Sequence, residues 1–442
     1  MLKKYALVLL VFATKFSIAQ TYTSYFKGDT ADVSTNQIAG TLLAGGATDN
    51  DEAMSWFLKR ADGGDVVVIR ANGDGAYNDY LYSQLGVNVN SVETIVIPSV
   101  SAANNTYVST QIKNAEALFI TGGDQYDYVK YWKDTPVEDA INALINSKHV
   151  TVGGTSAGMA IQGDAYFSAQ NGTVTSQQAM NNPYGNLVKI GYHDFISNPV
   201  LKNTITDTHY DNPDRRGRQT TFLARLMTDY GFRPYGIASE EYTAVCIDEN
   251  NIAHVYGYYP DYDDYAYFIQ ANCIEPNEPE TCVAGQPLSW DRMQQAVKVY
   301  KVAGTTDGSH YFDLNDWKSF DGSGTWDNWW VADAEFNFID EAIPANCTIE
   351  TAVGEVANSF HIFPNPADDF IVLDGIENNS NQIIITDVLG RNVFEMLLDK
   401  LEVTNDVVNG RLRIDVSEFP SGIYFLRMEM NKKIYAAQFV KE

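Results

Sequence analysis

The chain has 442 residues, more than one ordinary domain holds, so two or three domains are expected. It carries 57 acidic and 30 basic residues, and the net charge of −27 argues against nucleic-acid binding, which requires clustered cations. Hydrophobic residues make up 45% of the chain and aromatic residues 12%, which excludes general disorder and provides for large buried cores.

The first 19 residues have the pattern of a secretory signal peptide. Lys3 and Lys4 precede an apolar stretch from Tyr5 to Ala13, and small residues at Ser17 and Ala19 suit a cleavage site. The apolar stretch is shorter than the ~20 residues that span a bilayer. We therefore predict an exported protein, with a buried N-terminal strand as the alternative.

From about residue 40 the chain alternates short apolar runs with helical stretches. The clearest helix runs from Thr135 to Ser147, where Thr135 and Glu138 form a capping box and Pro136 takes the first helical position. Runs that are apolar on both faces are typical of strands in a parallel sheet. We therefore predict an α/β fold, a mostly parallel sheet with helices on both faces. The predicted strands are Val66–Ala71, Glu93–Ser99, Ala117–Thr121 and His149–Gly153.

Between residues 250 and 345 this alternation weakens and aromatic residues become dense. They form either a sugar- or peptide-binding platform or, the interpretation we favour, packing at the edge of the first domain. The residues concerned are Tyr258, Tyr259, Tyr262, Tyr265, Tyr267, Trp326, Trp329 and Trp330.

The pattern changes again at about residue 352. Helical periodicity disappears, and short runs separated by turns predict a small antiparallel β-sandwich. The predicted strands are Phe360–Phe363, Phe370–Leu373, Gln382–Thr386, Arg411–Val416, Ile423–Met428 and Ile434–Val440.

The chain has four cysteines, and in an oxidising compartment some should pair. Cys273 and Cys282 bracket a polar, proline-rich loop, so we expect these two to form a disulfide. The sequence has neither a Cys-x-x-Cys nor a His-Glu-x-x-His motif. We therefore expect no metal and no cofactor.

The segment Gly154 to Gly158 follows the last predicted strand and has the pattern Gly-x-Ser-x-Gly. This pattern is typical of a nucleophile elbow, in which a tight turn presents Ser156 and the following helix offers free N–H groups to negative charge. The alternative is a glycine-rich structural turn.

A serine nucleophile needs a base, and His193 and His209 are the candidates. His209 follows the strand-like run Asn203–Thr206, and three arginines come after it, which indicates carboxylate recognition, an internal salt network or a solvated cluster. We expect His149 at the opposite end of the sheet. The remaining histidines, His254, His310 and His361, lie in surface-like segments or in the terminal domain.

An orienting acid and an oxyanion site complete the hypothesis. Glu240 and Glu241 follow an apolar segment. Both are candidates for the acid that contacts the imidazole of the histidine base. Gly122 and Gly123 follow another predicted strand, and two glycines there allow backbone N–H groups to face a substrate oxygen. A phosphate-binding loop is the alternative, but the lysine and spacing of a P-loop are missing.

Together these residues resemble the cyanophycinase family, serine peptidases related to aspartyl dipeptidase, whose fold resembles the class I glutamine amidotransferase domain. The resemblance spans about Gly40 to Ala345, and Tyr210 stands where the family has Phe. Four motifs carry it in the family's order: Thr121–Gln125, Gly154–Gly158, Asp207–Tyr210 and Gly236–Ala244.

The resemblance implies a role for each residue. Ser156 would be the nucleophile, His209 the general base and Glu241 the acid that orients it. Backbone N–H groups of Gly123 and Ala157 would hold the oxyanion. The substrate would be a peptide, with cyanophycin (β-linked Asp and Arg) implied and an iso-aspartyl or acidic peptide equally open. The implied substrate-site residues are Gln125, Asp207 and an arginine among Arg215, Arg216 and Arg218.

The terminal segment resembles the sorting domain of the Bacteroidetes type IX secretion system, through Phe363–Pro366, Ile385–Arg391 and Pro420–Tyr424. This resemblance implies that the type IX machinery is a partner and that the protein is secreted or held at the cell surface. The expected organisation is a signal peptide at 1–19, a peptidase domain at 20–345, a linker at 346–358 and a sorting domain at 359–442.

Other functions compete with the peptidase hypothesis. A non-catalytic surface protein would use the same fold to bind peptide or glycan through the Tyr and Trp cluster. An α/β-hydrolase esterase orders its triad as serine, acid, histidine, which the order here contradicts. A glutamine amidotransferase is disfavoured because that class resemblance calls for cysteine at position 156.

Overall fold

The computed structural model describes residues 20–340, 361–374, 380–387, 391–397, 407–408, 411–430 and 433–441. The predicted signal peptide and linker lie outside these residues. The chain divides into two compact units, Met1–Cys347 and Thr348–Glu442. Within the described residues, no helix combines the length and apolar character needed to cross a bilayer.

The first unit is built from strands, α-helices and short turns of other helix types. Its strands are β1 (Thr23–Gly28), β2 (Gly40–Ala44), β3 (Asp65–Arg70), β4 (Ser91–Val96), β5 (Ala117–Ile120), β6 (Thr151–Thr155), β7 (Ala165–Phe167), β8 (Ile190–Tyr192), β9 (Thr204–Asp207), β10 (Tyr235–Ser239), β11 (Ala244–Ile247), β12 (Ile252–Tyr256), β13 (Tyr265–Ala271), β14 (Val297–Ala303), β15 (Tyr311–Asp313), β16 (Phe320–Asp321), β17 (Thr325–Ala332) and β18 (Glu335–Ile339). Its α-helices are α1 (Asp51–Lys59), α2 (Ala76–Asp79), α3 (Val100–Ala103), α4 (Thr106–Asn114), α5 (Gln125–Trp132), α6 (Pro136–Ala143), α7 (Ala157–Ala160), α8 (Ser176–Asn181) and α9 (Arg216–Tyr230).

The first sheet confirms the predicted α/β class. Within residues 20–340 its order is β1-β4-β3-β5-β6-β2-β11-β12-β15-β16. The pairs from β4 to β2 are parallel, and the outer pairs are antiparallel. The four predicted strands correspond to β3, β4, β5 and β6, with ends shifted by a few residues. Because β2, β5 and β6 run parallel, their carboxyl ends meet at one edge of the sheet.

Helices cover both faces of this sheet, as predicted. On one face Phe57 of α1 packs with Val66 and Phe119 of the sheet. On the other face Ile112 of α4 and Ile141 of α6 belong to a second buried cluster. Successive residues of a strand therefore point into the cores on opposite faces of the sheet. This explains why the sequences of β3 and β5 are apolar at consecutive positions.

The predicted helix at Thr135–Ser147 is present but continues in another form. Thr135 is its N-cap and accepts from Val137 N–H at 3.3 Å, and Pro136 takes the first helical position. The side chain of Glu138 accepts from Asp134 N–H rather than from Thr135, so the capping box is incomplete. After Ala143 the chain widens into a π-helical turn, Leu144–Lys148.

A second sheet, which the sequence did not predict, lies in the same unit. Its order is β18-β17-β14-β13-β10-β9-β7-β8, counted over residues 20–340. Helix α9 packs on it through Phe222 and Leu223, in one cluster with Trp290 and Trp329. Strands β9 and β10 are parallel, so both carboxyl ends point the same way.

The Tyr and Trp residues of the 250–345 region take different positions. Trp326, Trp329 and Trp330 are buried in β17, which confirms the favoured packing interpretation for them. Tyr259 and Tyr262 instead remain exposed. The aromatic density therefore has two causes, a buried sheet and an exposed loop.

The second unit has the predicted antiparallel sandwich. Within its described residues one sheet has the order β19-β20-β24-β23 and the other β22-β21-β25-β26, with antiparallel neighbours. Ile371, Ile385 and Leu426 share its core. Its strands are β19 (His361–Phe363), β20 (Phe370–Asp374), β21 (Ser380–Asp387), β22 (Asn392–Leu397), β23 (Val407–Val408), β24 (Arg411–Asp415), β25 (Gly422–Met430) and β26 (Lys433–Lys441).

The predicted disulfide between Cys273 and Cys282 is wrong. Cys273 is disulfide-bonded, whereas Cys282 and Cys246 are free, buried thiols. Cys282 is buried in the hydrophobic cluster that holds Trp290, so its packing as a small apolar side chain is the observed role. Cys347 lies outside the described residues.

Gly158 provides a test of how tightly the turn after β6 packs. A Cβ at this position would lie 2.0 Å from the carbonyl oxygen of Ile120, a backbone atom that cannot move aside. We expect Gly158→Ala to lower the free energy of unfolding by about 3 kcal/mol or more, because α7 must move away from the end of β5. All seven tryptophans lie between Trp56 and Trp330, so tryptophan fluorescence during urea unfolding reports on this unit alone.

Gly172→Ala is the matched control, since its φ is +101° but no atom lies within 4 Å of the added Cβ. It should cost only the backbone strain of about 1 kcal/mol. Equal losses in the two variants would contradict the predicted close packing.

Candidate active site

Ser156 sits on a strained turn at the carboxyl end of β6. Its φ of 52° and ψ of −116° are unfavourable for a residue with a Cβ, and α7 begins at the next residue. A Cβ at Gly154 would lie 2.5 Å from the backbone of Gly158, so both glycines of the motif are needed for the close turn. The turn thus has the geometry expected of a nucleophile elbow.

His209 follows β9 of the second sheet and contacts Ser156. Its Nε2 lies 2.8 Å from Ser156 Oγ. Its Nδ1 lies 2.6 Å from Oε1 of Glu241. Because a carboxylate only accepts, Nδ1 carries the proton and Nε2 accepts from the serine hydroxyl. Two sheets therefore contribute to one line of hydrogen bonds.

Of the two adjacent glutamates, Glu241 faces the imidazole and Glu240 faces the core. Glu240 Oε1 accepts from the hydroxyl of Tyr267 at 2.6 Å, and Oε2 accepts from Tyr265 N–H at 3.0 Å. Burial raises the pKa of Glu240 to about 7. The sequence pattern left open which of the two glutamates contacts the imidazole. In the structure the directions of their side chains give that contact to Glu241.

Three consecutive carbonyl groups at the carboxyl end of β2 hold the loops of this site together. The carbonyl of Ala44 accepts from Ser156 N–H at 3.0 Å, and that of Gly45 accepts from His209 N–H at 2.8 Å. The carbonyl of Gly46 accepts from Tyr242 N–H, next to Glu241, at 3.1 Å. The position of all three side chains therefore depends on one short stretch of backbone.

The turn after β5 lies against the nucleophile. A Cβ at Gly122 would come within 3.3 Å of Ser156 Cβ. The hydroxyl of Tyr128 donates to the carbonyls of Thr121 and Gly122, each at 3.0 Å, and fixes the turn. Ala157 is the first residue of α7, so its N–H has no acceptor within the helix. The roles of Gly123, which follows Gly122 in this turn, and of Ala157, which follows Ser156, stay predictions.

Asp207 and Arg218, both predicted at the substrate site, form a buried ion pair. Arg218 donates to both carboxylate oxygens of Asp207, with its Nε at 2.8 Å, and each residue is 3% exposed. The pair joins the end of β9 to α9 directly beside His209. We propose that it positions the histidine loop; contact of either residue with substrate stays a prediction.

The remaining arginines and Gln125 border the site. Arg216 bonds to the carboxylate of Asp214 and stacks on Phe338, 4.6 Å from the ring centroid. Arg215 donates to the carbonyl of Thr208 at 2.8 Å. Gln125 is half-buried at the start of α5, and its Nε2 lies 3.5 Å from the carbonyl of Phe167. Their contact with substrate stays a prediction.

A cavity of about 330 Å³ opens beside these loops. Ala47, Thr48 and Asp49 continue the chain from Gly46 and form one wall; Tyr77 and Tyr80 are on the other. The hydroxyl of Tyr77 donates to Asp49 at 2.5 Å, and burial raises the pKa of that carboxyl. A larger cavity of about 440 Å³ lies on the outer side of α1 and is lined by none of the loops that carry Ser156, His209 or Glu241.

The other histidines of the first unit lie elsewhere. His149 is exposed before β6 and lines a cavity with Asn198. His193 pairs with Asp164 at 2.9 Å on an exposed face. The described residues contain no group of three or more His, Cys, Asp or Glu side chains that could hold a metal ion.

Three residues that shape the site, Gly45, Gly46 and Asp211, were not predicted from the sequence. Gly45 and Gly46 follow a strand as Gly122 and Gly123 do, so the same signal was available for them. A Cβ at Gly46 would lie 2.4 Å from the His209 ring. Asp211 accepts from Glu241 N–H at 3.2 Å, and no local pattern marks it.

Comparison with known families identifies two segments of the chain. Residues 76–255 match the model of Peptidase family S51, and residues 361–442 match the model of the Secretion system C-terminal sorting domain. The two suspected resemblances are confirmed by these matches. The sorting domain indicates type IX secretion to the cell surface or extracellular space.

Individual relatives are similar over part of their length. The chain is 26% identical over 148 residues to the cyanophycinase of Geminocystis herdmanii, covering 33% of this chain and 48% of that protein. It is 23% identical over 230 residues to the cyanophycinase of Synechococcus elongatus, covering 49% and 66%. The chain therefore spans about half to two thirds of the length of these relatives.

Two solved structures also align with the chain. A peptidase from an acI-B1 Actinobacterium is 12% identical with a TM-score of 0.38, covering 61% of this chain and 96% of that one. A putative Peptidase E protein from Listeria monocytogenes is 16% identical with a TM-score of 0.32, covering 50% and 99%.

The raised pKa of Glu240 predicts a pH-dependent stability. Between pH 4.5 and about 7 the folded state keeps this proton and the unfolded chain has lost it, so rising pH destabilises the fold. The full effect is roughly 3 kcal/mol and is complete above pH 7. We expect Glu240→Gln to flatten the decline in unfolding free energy between pH 5 and 8, measured by urea unfolding.

Glu249→Gln is the control, because the hydrogen bond from Arg60 lowers the pKa of Glu249. Its stability curve should run parallel to that of the unchanged protein between pH 5 and 8. If the unfolding free energy of Glu240→Gln also changes with pH as that of the unchanged protein does, Glu240 is not the source of the pH dependence.

Proposed function

We propose that the chain is an exported serine peptidase that acts through Ser156, His209 and Glu241. The hydrogen-bonded line from Ser156 Oγ to His209 and on to Glu241, at 2.8 and 2.6 Å, is the observation that carries this proposal. The match of residues 76–255 to Peptidase family S51 supports the same activity.

In the proposed mechanism Ser156 Oγ attacks the carbonyl carbon of the substrate amide. His209 Nε2 accepts the hydroxyl proton and then gives it to the leaving amine, so the C–N bond breaks and an acyl-enzyme remains. Water, deprotonated by His209, then attacks the ester carbonyl carbon. The C–O bond to Ser156 breaks, His209 returns the proton to Ser156 Oγ, and the carboxylic acid leaves. Glu241 holds the imidazole in the required tautomer and stabilises its charged form.

The negative oxygen of each tetrahedral intermediate needs donors. Backbone N–H groups of Gly123 and Ala157 are proposed for this role, since the turn after β5 packs against Ser156 through Gly122 and α7 begins directly after Ser156. The positive end of the short helix α7 adds little by itself, so the two N–H groups carry the effect.

The substrate class is proposed from the cavity and from the relatives. Asp49 and Asp51 lie in the cavity beside Tyr77 and Tyr80, which suits a cationic side chain such as that of arginine. The relatives named cyanophycinase make cyanophycin the first substrate to test. An iso-aspartyl or acidic peptide stays the alternative.

Ser156→Ala tests the activity. Hydrolysis should fall by at least about 10³-fold because the nucleophile is removed, and Glu241→Gln should lower kcat by about 10⁴-fold by disturbing the imidazole. The assay incubates the purified protein with cyanophycin and with β-aspartyl dipeptides and identifies the products by mass spectrometry.

Ser147→Ala, which changes an exposed serine in the π-helical turn before β6, is the control and should keep full activity. Thermal unfolding should be unchanged in Ser156→Ala, so that a loss of activity reflects chemistry. Hydrolysis that persists in Ser156→Ala refutes the peptidase proposal; ligand binding without any hydrolysis by the unchanged protein favours the non-catalytic alternative.

A further inference from the structure

Two tyrosines next to the proposed triad expose their rings to solvent. Tyr242 is 42% exposed and Tyr262 is 62% exposed, and their ring centroids lie 6.3 Å apart. Most aromatic side chains of this unit are buried or half-buried, so an exposed pair of rings is a minority arrangement. An exposed aromatic pair beside a candidate active site is a common feature of binding surfaces.

Tyr242 is held in a conformation that favours glycine. Its φ is +66°, in the left-handed region where a Cβ is crowded. Its N–H donates to the carbonyl of Gly46, and Gly46 lies against the His209 ring. A bulky residue retained in such a conformation, one position after Glu241, points to a function for its side chain.

Tyr262 belongs to an ordered loop between β12 and β13. The hydroxyl of Tyr258 donates to Glu52 of α1 at 2.7 Å, and its N–H donates to Asp264 at 2.7 Å. The N–H of Tyr262 donates to the carbonyl of Tyr258 at 3.3 Å. The loop is thus anchored on α1 at one end, and Tyr262 is presented toward Tyr242.

The charges around this pair limit what it binds. Asp261 and Asp263 flank Tyr262 and are exposed. Two carboxylates beside two aromatic rings favour a neutral or cationic peptide segment over an anionic one, because the rings attract cations and the carboxylates repel anions.

We propose that Tyr242 and Tyr262 form a distal subsite that binds the peptide chain beyond the residues at the scissile bond, so that oligopeptides are cleaved in preference to dipeptides. This proposal rests on the proposed peptidase function. His209 separates Glu241 from Ser156, and Tyr242 directly follows Glu241 in the chain. The subsite is therefore assigned to the part of a peptide that extends beyond a dipeptide bound at the nucleophile. Ring contacts with the extended chain lower KM for longer substrates.

The test measures kcat/KM as a function of substrate length. One probe is a set of cyanophycin fragments with increasing numbers of β-Asp-Arg units, and the other is a size-fractionated tryptic digest of casein. In the unchanged protein kcat/KM should rise with length. Tyr262→Ala should lower the advantage of long over short substrates by about fivefold, mainly through KM.

Further variants separate binding from structural damage. Tyr242→Ala should have the same effect on the length advantage, and Tyr242→Phe should retain the advantage because the ring remains. Tyr230→Ala removes an equally exposed tyrosine at the end of α9 and should leave the length profile unchanged.

The outcomes distinguish the two proposals. If the unchanged protein cleaves neither probe, the proposed peptidase function fails. If it cleaves them with rates that do not depend on length, or if Tyr262→Ala and Tyr230→Ala behave alike, the distal subsite is refuted and the peptidase function stands.

Discussion

The site depends on three consecutive carbonyl groups, those of Ala44, Gly45 and Gly46. They accept the N–H groups of Ser156, His209 and Tyr242, which come from loops more than 30 residues apart in sequence. Only glycine fits at the second and third positions. A Cβ at Gly45 would lie 1.9 Å from the carbonyl oxygen of Glu240, and one at Gly46 would meet the His209 ring. One short stretch of backbone thus sets the distances between the side chains of the proposed triad.

The two sheets of the first unit explain how those loops meet. Ser156 leaves the carboxyl end of β6 in the first sheet, and His209 leaves the carboxyl end of β9 in the second. Glu241 lies on the segment that passes from β10 of the second sheet to β11 of the first. Because β11 pairs with β2, that segment ends next to the carbonyl groups of Ala44, Gly45 and Gly46. The buried cores of both sheets therefore support the strained turn at Ser156.

Local signals in the sequence were sufficient for the four neighbouring parallel strands β3 to β6 and for the turn at Ser156, whereas the choice of His209 and Glu241 rested on the family resemblance. Strands such as β3 and β5 are short apolar runs, and Ser156 is marked by glycines that a tight turn requires. The second sheet was missed because strands such as β17 mix Trp with Asp and Asn, and because its strand order joins distant segments. Ion pairing of Arg218 with Asp207 and the burial of Cys282 are likewise set by tertiary packing. No local pattern records them.

The central claim is that His209 makes the hydroxyl of Ser156 a nucleophile. Its most direct test is reaction with a fluorophosphonate, followed by mass spectrometry of the modified peptides. The account predicts a single adduct on Ser156 that forms quickly in the unchanged protein and slowly in His209→Ala. An adduct on another serine, or none at all, would contradict it.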